Sequence, residues 1–443
     1  MAKALVWLRQ DLRLADNAAL TYALNNYRQV VVLYIYDEQF QLGKASKWWL
    51  GKSLAALRGD INLTIRIGDA TKIISEIVEK ENINGLFWNR CYDAASIARD
   101  KKVKEIFKNI ECKSFNSALL FEPWEIQTGA KTPFSVFTPY WRACLALGVT
   151  KKPLPMPNVA QVIPLKSDTF TYDPNWADSF TWQAGEKAAH KRLQSFIKNA
   201  LSHYDQGRNI PSEEYTSKLS PHLHFGEISP VQIWYELVRL KNTERFLTEI
   251  GWREFSYHLL YHHPHLPSQN FRKSFDNFTW TTDPQGFAAW KQGLTGYPIV
   301  DAGMRQLWQT GYMHNRVRMI AASFLVKDLH IDWREGAAWF LDTLVDADLA
   351  SNSASWQWVA GSGADAAPFF RIFNPVLQGE KFDPNGDYIR KYVPELAAVP
   401  DKYIHKPWLT HGVNYPKPIV DHNTRRLLAL KKYKNCITAP PKP

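Results

Sequence analysis

Four stretches between residues 215 and 358 carry side chains whose types and spacing suit chemistry. Tyr215-Thr-Ser-Lys-Leu-Ser220 runs into Pro221-His-Leu-His-Phe-Gly226. It sets hydroxyls and backbone N–H groups beside a lysine, donors suited to phosphate oxygens, although the same composition also serves ordinary loops and helix caps. Glu249-Ile-Gly-Trp-Arg-Glu-Phe255 places Glu249 and Trp252 three residues apart, on one face of a helix. A carboxylate beside an indole can hydrogen-bond a base while the ring stacks on it; the plainer reading is an amphipathic helix with a salt-bridged surface. Gly311-Tyr-Met-His-Asn-Arg-Val-Arg-Met319 puts Arg316 and Arg318 on different sides of a helix, one for an external phosphate and one for an internal partner. Asp346-Ala-Asp-Leu-Ala-Ser-Asn-Ser-Ala-Ser-Trp-Gln-Trp358 sets Asp346, Asp348 and Asn352 ahead of a Trp-x-Trp. Asp-x-Asp suggests a metal site, but with no histidine or further carboxylate close by, a hydrogen-bonding site for a polar ring is as well supported. His262, His263 and His265, flanked by Tyr261, Pro264 and Pro267, read as a helix end rather than as metal ligands.

The elements that must position these residues fall into two kinds. Segments 4–8, 30–36, 63–67 and 85–88 are short apolar, β-branched or aromatic runs and read as buried strands. Periodic stretches at 46–59, 71–82 and 94–109 read as helices between them. The alternation implies α/β architecture, a doubly wound parallel sheet with right-handed crossovers. Arg9-Gln-Asp-Leu-Arg-Leu14 follows the first strand where a glycine-rich dinucleotide turn would stand, so an ordinary nicotinamide site is not expected on this sheet. Residues 123–184 are Pro-rich and polar and read as a connection crossing the surface. From Gly185 onward the pattern is helical. Ser229 is placed to cap a helix opened by Pro230, and 246–261, 300–310, 317–329 and 335–344 continue as helices, giving a large all-α C-terminal region. The expected domains are 1–125, a linker at 126–184, and 185–435, with 439–443 a frayed tail.

The 443 residues are 45% hydrophobic and 22% charged, a globular balance. No apolar run is long enough to span a bilayer. Cys91, Cys112, Cys144 and Cys436 form no CxxC, which argues against a disulfide framework, a zinc site or an iron–sulfur cluster and suits a reducing cytoplasm. A formal charge of +11 favours a polyanionic partner, nucleic acid first. The 18 tryptophans can fill a core, and can also stack on bases and flavins.

Together with Gly296-Tyr-Pro-Ile-Val-Asp-Ala302 and the run from Ala366 to Phe382 that includes Phe373-Asn-Pro-Val-Leu-Gln-Gly-Glu-Lys-Phe382, these stretches resemble the photolyase/cryptochrome family. The closest resemblance is to bacterial cyclobutane pyrimidine dimer photolyases, and Arg9 to Leu14 agrees with it. The resemblance implies an N-terminal α/β domain for an antenna chromophore and a helical domain holding a U-shaped FAD. On its motifs, Tyr204, Thr216, Ser217, Lys218, Leu219 and Ser220 would hold the FAD phosphates and neighbouring atoms. Asp346 and Asp348 would bind the flavin and ribose side, with Arg318 paired to Asp346 and Asn352 facing flavin N5. Trp356, Trp333 and Trp280 would form an electron-transfer chain from flavin to surface. Glu249, Trp252, Asn315, Arg316, Met319 and Trp358 would contact the DNA lesion. The implied activity is light-driven repair. Reduced anionic flavin passes an electron to a dimer flipped out of the DNA, the cyclobutane ring opens, and the electron returns. Such chemistry needs no general base or nucleophile, and the protein's share is to bind, orient and tune.

Three choices within the resemblance follow from particular residues. Asn315 and Met319 stand where a (6-4) repair subgroup carries histidines, which favours cyclobutane dimers. Asn352 is a neutral amide where plant-type cryptochromes tend to have Asp, which favours repair over a blue-light receptor that binds FAD and signals through a partner; the short tail agrees. The iron–sulfur subgroup's cysteine set is missing. A flavin oxidoreductase using NAD(P)H lacks its fingerprint. Tyr312 departs from a common Trp, with little expected consequence. For a second chromophore, methenyltetrahydrofolate is favoured over a deazaflavin, with no antenna the remaining option. Trp48 or Trp49 would offer a ring for the folate to stack on, unless both simply pack against the sheet. The expected partner is UV-damaged DNA, and the expected state a monomer.

Overall fold

The computed structural model describes residues 2–37, 39, 42–365 and 370–439. Residues 366–369, part of one family-like stretch, and 440–443 of the tail lie outside the described residues.

The N-terminal part alternates β1 (Lys3–Leu8), α1 (Ala18–Asn26), β2 (Gln29–Tyr36), α2 (Lys44–Arg58), β3 (Leu63–Ile67), α3 (Ala70–Lys80), β4 (Ile83–Asn89), α4 (Ala94–Ile106) and β5 (Glu111–Phe115). The strands are parallel, in the order β3-β2-β1-β4-β5. Leu5 pairs with Val31 on one side and Leu86 on the other. Because helices cover both faces, alternate residues of β1 enter two different cores: Ala4, Val6 and Leu8 one, Leu5 and Trp7 the other. That is why these strands read as unbroken apolar runs. β5 was not expected. It is an edge strand, Glu-Cys-Lys-Ser-Phe, only partly buried and carrying a lysine, so it offers no such run. α1 also went unread; its start is fixed by the Asn17 side chain accepting from Leu20 N at 3.1 Å.

At the carboxyl ends of β1 and β4, where doubly wound sheets usually bind ligands, buried polar side chains bond one another. Arg9 Nη1 contacts Asp100 Oδ1 at 2.8 Å, its Nη2 bonds the Asn89 carbonyl, and Asn89 Nδ2 donates to Asp11 Oδ2 at 2.6 Å. All four residues are buried.

The expected linker corrects in part. Residues 137–147 form a helix, α5 (Phe137–Leu147), packed on the later helix that carries Trp252. Pro139 misled the sequence reading: it sits in the first turn, where a missing N–H costs nothing. Part of the rest lies against the sheet, with Ile163 N bonded to Val30 O at 3.0 Å.

The helical part comprises α6 (Glu186–Asn199), α7 (Tyr204–Gly207), α8 (Ser220–His224), α9 (Pro230–Leu237), α10 (Glu244–His262), α11 (Pro284–Gln292), α12 (Pro298–Thr310), α13 (Asn315–Ser323), α14 (Trp333–Thr343) and α15 (Leu349–Ala360). It closes with α16 (Pro375–Phe382), α17 (Asp387–Tyr392), α18 (Asp401–Ile404) and α19 (His422–Thr438). Ser229 caps α9 in a full capping box with Gln232, behind Pro230. The helix expected over 317–329 is instead α13 followed by a π-helical turn at Phe324–Asp328. α10 ends at His262, whose Nε2 lies 3.1 Å from the Pro123 carbonyl, so this histidine stretch does close a helix.

Of the two readings of Trp48 and Trp49, the structure supports packing against the sheet. Both are buried, at 4% and 0% exposure. The Trp49 indole donates to Glu227 at 3.0 Å and its ring packs on Trp182 and Phe225; Trp48 donates to Asp173 at 3.1 Å and meets Phe180 edge-on. Neither presents a face on which a folate could stack; they join the sheet's helical cover to the rest of the chain.

Candidate functional site

One face of α15 organises the site. Asp348 caps the helix, accepting from Ser351 N at 2.8 Å. Asn352 and Trp356 follow at intervals of four, so all three side chains line one wall of a cleft. The cleft encloses about 1380 Å³ of empty space, its open mouth included. Tyr204, Thr216, Ser217, Lys218, Leu219 and Ser220 line another wall; Glu249, Ile250 and Arg253 of α10 and Asn315, Arg318 and Met319 of α13 complete it. Gly336 matters here: a Cβ on it would lie 2.2 Å from the Trp356 ring, so only glycine lets α14 approach this closely.

The charges are internally matched. Arg318 Nη2 lies 2.8 Å from Asp346 Oδ2, and Ser220 Oγ donates to the same oxygen at 2.5 Å. Arg318 Nε donates to the Met313 carbonyl at 2.7 Å, fixing the guanidinium's plane. Tyr257, buried behind the cleft, donates its hydroxyl to Asp348 Oδ2 at 2.5 Å. Burial opposes ionisation of Asp348. The His224 ring 3.6 Å away, Arg253 and the Tyr257 hydroxyl outweigh it, and the carboxyl lies well below the usual range. The Asn352 amide nitrogen donates to the Ala337 carbonyl at 3.1 Å, which leaves its amide oxygen to accept from a donor in the cleft. His224 lines the cleft with Nδ1 turned to Asp348 and Nε2 buried and unbonded, and a polar occupant would relieve that deficit.

Around the mouth, Glu249 pairs with Arg208, whose guanidinium lies over the Tyr204 ring. Arg316 bonds Asn209 and lies over Phe382, on the other side of α13 from Arg318. Trp252 does not line the cleft with Glu249. Its half-buried ring stacks on Phe137 at 3.8 Å and 10°. Trp358 is likewise set apart, beneath Arg371. Trp356 and Trp333 share one buried core cluster, against which half-buried Trp280 packs. The sequence reading did not single out Arg208, Tyr257 or the paired role of His224. Arg208 lies 41 residues from Glu249 and Tyr257 91 from Asp348, separations at which no local pattern exists.

Comparison with known proteins identifies this architecture. Residues 4–158 match the DNA photolyase family model, and residues 246–435 match the FAD binding domain of DNA photolyase. The chain belongs to the DNA photolyase family. It is 47% identical to a deoxyribodipyrimidine photo-lyase of Agrobacterium fabrum, with 98% of each chain covered. It is similar to the crystal structure of a class III photolyase from Agrobacterium tumefaciens, with a TM-score of 0.94, 45% identity and coverage of 99% of this chain and 98% of that one. A cryptochrome from Synechocystis is similar at a TM-score of 0.89 and 29% identity, covering 97% and 99%.

Proposed function

We propose that this protein is a light-driven DNA repair enzyme, a deoxyribodipyrimidine photo-lyase that splits cyclobutane pyrimidine dimers in UV-damaged DNA. The observation that carries the reading is the cleft itself. A wall of Asp346, Asp348, Asn352 and Trp356 stands within one cavity with Glu249, Asn315 and Met319, so a flavin and a flipped pyrimidine dimer can share it. The donor set suits FAD: hydroxyls and backbone N–H groups at 216–220 for phosphates, carboxylates for ribose hydroxyls, the unbonded His224 Nε2 and the free Asn352 oxygen for the remaining polar edges. When bound, reduced FAD supplies the photoexcited electron that opens the dimer and takes it back.

The chain's own work is positional. Arg318 and Ser220 hold the Asp346 carboxyl in place. Tyr257 does the same for Asp348. Asn352, anchored on Ala337, would offer a neutral amide oxygen to the N5 edge of a bound flavin, an acceptor too weak to take a proton. Glu249, held by Arg208, accepts from the base edge of the lesion, with Asn315, Met319, Trp252 and Trp358 as further lesion contacts. Arg316 faces outward, suited to a DNA phosphate. Trp356, Trp333 and Trp280 relay electrons from the surface when oxidised FAD must be reduced. The enzyme is proposed to act as a cytoplasmic monomer; among the described residues no helix is long and apolar enough to cross a membrane. A second, light-gathering chromophore, methenyltetrahydrofolate in preference to a deazaflavin, belongs to the proposal, held elsewhere than on Trp48 and Trp49. The test is direct. The purified, reduced protein is illuminated with a defined thymine dimer, and recovery of thymine absorbance is followed. No recovery under light, with dimer bound, would favour the cryptochrome-type receptor instead.

A further inference from the structure

Trp333, the middle ring of the proposed relay, has surroundings unlike those of the other buried indoles. It opens α14 and is fully buried. Its N–H donates to Asn270 Oδ1 at 3.0 Å, and Asn270, 4% exposed, donates through Nδ2 to Asp276 Oδ1 at 2.7 Å. The neighbouring buried indole, Trp290, instead gives its N–H to a backbone carbonyl, that of Ala321. The Arg334 guanidinium lies 4.7 Å over the Trp333 ring, but it is paired with Asp332 at 2.9 Å.

An indole that has lost an electron becomes a strong acid at its N–H. A carboxylate, an imidazole or water in contact would take that proton. The ring would then be a neutral radical, unable to accept an electron readily from the next donor, and the relay would stop there. A carboxamide oxygen accepts a hydrogen bond but is far too weak a base to accept the proton. Asp276, one residue removed, polarises that oxygen and favours positive charge on the ring without touching the proton.

We propose that Asn270 is a positioning residue that keeps the proton on Trp333 during electron relay, with Asp276 as its electrostatic support. This rests on the relay named under the proposed function. Trp356 first loses one electron to photoexcited oxidised flavin. Trp333 then passes one electron to Trp356 and keeps its Nε1 proton. Trp280 passes one electron to Trp333, restoring the closed-shell indole. Half-exposed Trp280 releases its own Nε1 proton to water, and a thiol reductant in solution finally returns one electron and one proton to it. The terminal ring can lose its proton and Trp333 cannot, so the charge passes the middle ring before it is trapped.

The test uses the full-length, FAD-loaded protein in the oxidised state, with Trp280→Phe in every sample so that the radical stays on Trp333. To this is added the exchange Asn270→Asp with Asp276→Asn, which keeps charge and volume but puts the carboxylate against the indole. Flash photolysis reads the protonation state of the indole radical from its absorption shape, and its lifetime. The expected result is a protonated, short-lived radical with the native pair, and a deprotonated radical living about tenfold longer or more in the exchange variant, formed with a solvent deuterium isotope effect. Asn270→His, a base of different charge, should act like the exchange and serves if the exchange fails to fold. Asn270→Thr, a neutral acceptor, should behave as native. A protonated radical in both base-bearing variants, or a deprotonated one with the native pair, would overturn the proposal. An indole radical missing from every sample, with a Trp333→Phe protein photoreducing as well as native, would overturn the relay beneath it.

Discussion

Glu254 gives a prediction whose sign and size both follow from the structure. It lies one residue from Arg253 on α10, at the join between the two halves of the protein. Oε2 accepts from Leu120 N at 2.9 Å and Phe121 N at 3.3 Å; Oε1 is buried with no hydrogen-bond partner. Burial pushes its carboxyl up to about 7 from 4.5, against the pull of Arg253 and the two N–H groups. Between those values the unfolded chain has released the proton and the folded chain has kept it. Stability therefore falls as pH rises from about 4.5 through 7. At about 1.4 kcal/mol per unit, the loss would be about 3 kcal/mol at most, and relaxation around the charge brings the realistic range to about 1–3 kcal/mol. Glu254→Gln keeps an oxygen for both N–H groups and removes the titration. Urea unfolding at pH 5 and pH 8 should show the variant gaining on the native protein by about 1–3 kcal/mol between the two. An equal gap at both pH values would refute the reasoning, because a purely steric effect of the substitution does not titrate.

Three further outcomes are expected. Asp348→Ala removes the acceptor of the Tyr257 hydroxyl and the cap of α15; a buried donor left unbonded costs about 1–3 kcal/mol, and FAD content of the purified protein should fall, which its absorption bands report. Trp356→Phe should block light-driven reduction of oxidised FAD while repair by chemically pre-reduced protein continues; undiminished photoreduction would assign the donor role to another ring, with Trp290, 6.3 Å away, the first to examine. Trp252→Ala should weaken dimer-specific binding by about tenfold to a hundredfold, base–aromatic stacking being worth about 1–3 kcal/mol, and leave the salt dependence of undamaged-DNA binding unchanged. Because Trp252 stacks on Phe137, melting temperature must be read beside both affinities; a fall in stability with unchanged preference for damage would make the ring a packing residue only.

Legibility in the sequence tracked how local each feature is. β1, β2 and β4 showed because strands buried on both faces are continuous apolar runs. β3 and β5 are both edge strands with a charged residue, but β3 buries Leu63 and Ile65 and showed through them, whereas no residue of β5 is fully buried and it carried no such signal. α5 was hidden by a proline whose position in the first turn only the structure gives. In the site, the residues of the 216–220 loop, and Asp346, Asp348, Asn352 and Trp356, are each close in sequence, and the structure gathers them in one cleft. Glu249 and Trp252 satisfy the same helical spacing, yet only Glu249 reaches the cleft, since α5 supplies a ring that holds Trp252 aside. Spacing says which side chains share a helix face, but not what a distant helix places against it. For the same reason Arg208, Tyr257 and Asn270 could not be read: each acts on a partner tens of residues away.

The buried ion pair at the end of β1 bears on how this protein can change over generations. Arg9 and Asp100 meet across 91 positions of chain, both buried. Losing Asp100 takes the carboxylate from a buried guanidinium, at a cost of up to about 3–5 kcal/mol, a large part of the margin by which a domain stays folded. Losing Arg9 costs less, because Asp100 keeps the Trp88 indole at 2.9 Å and Arg99 at 3.5 Å. Change is therefore open first at position 9. Across related sequences, position 100 should lose its carboxylate only where position 9 has already lost its arginine.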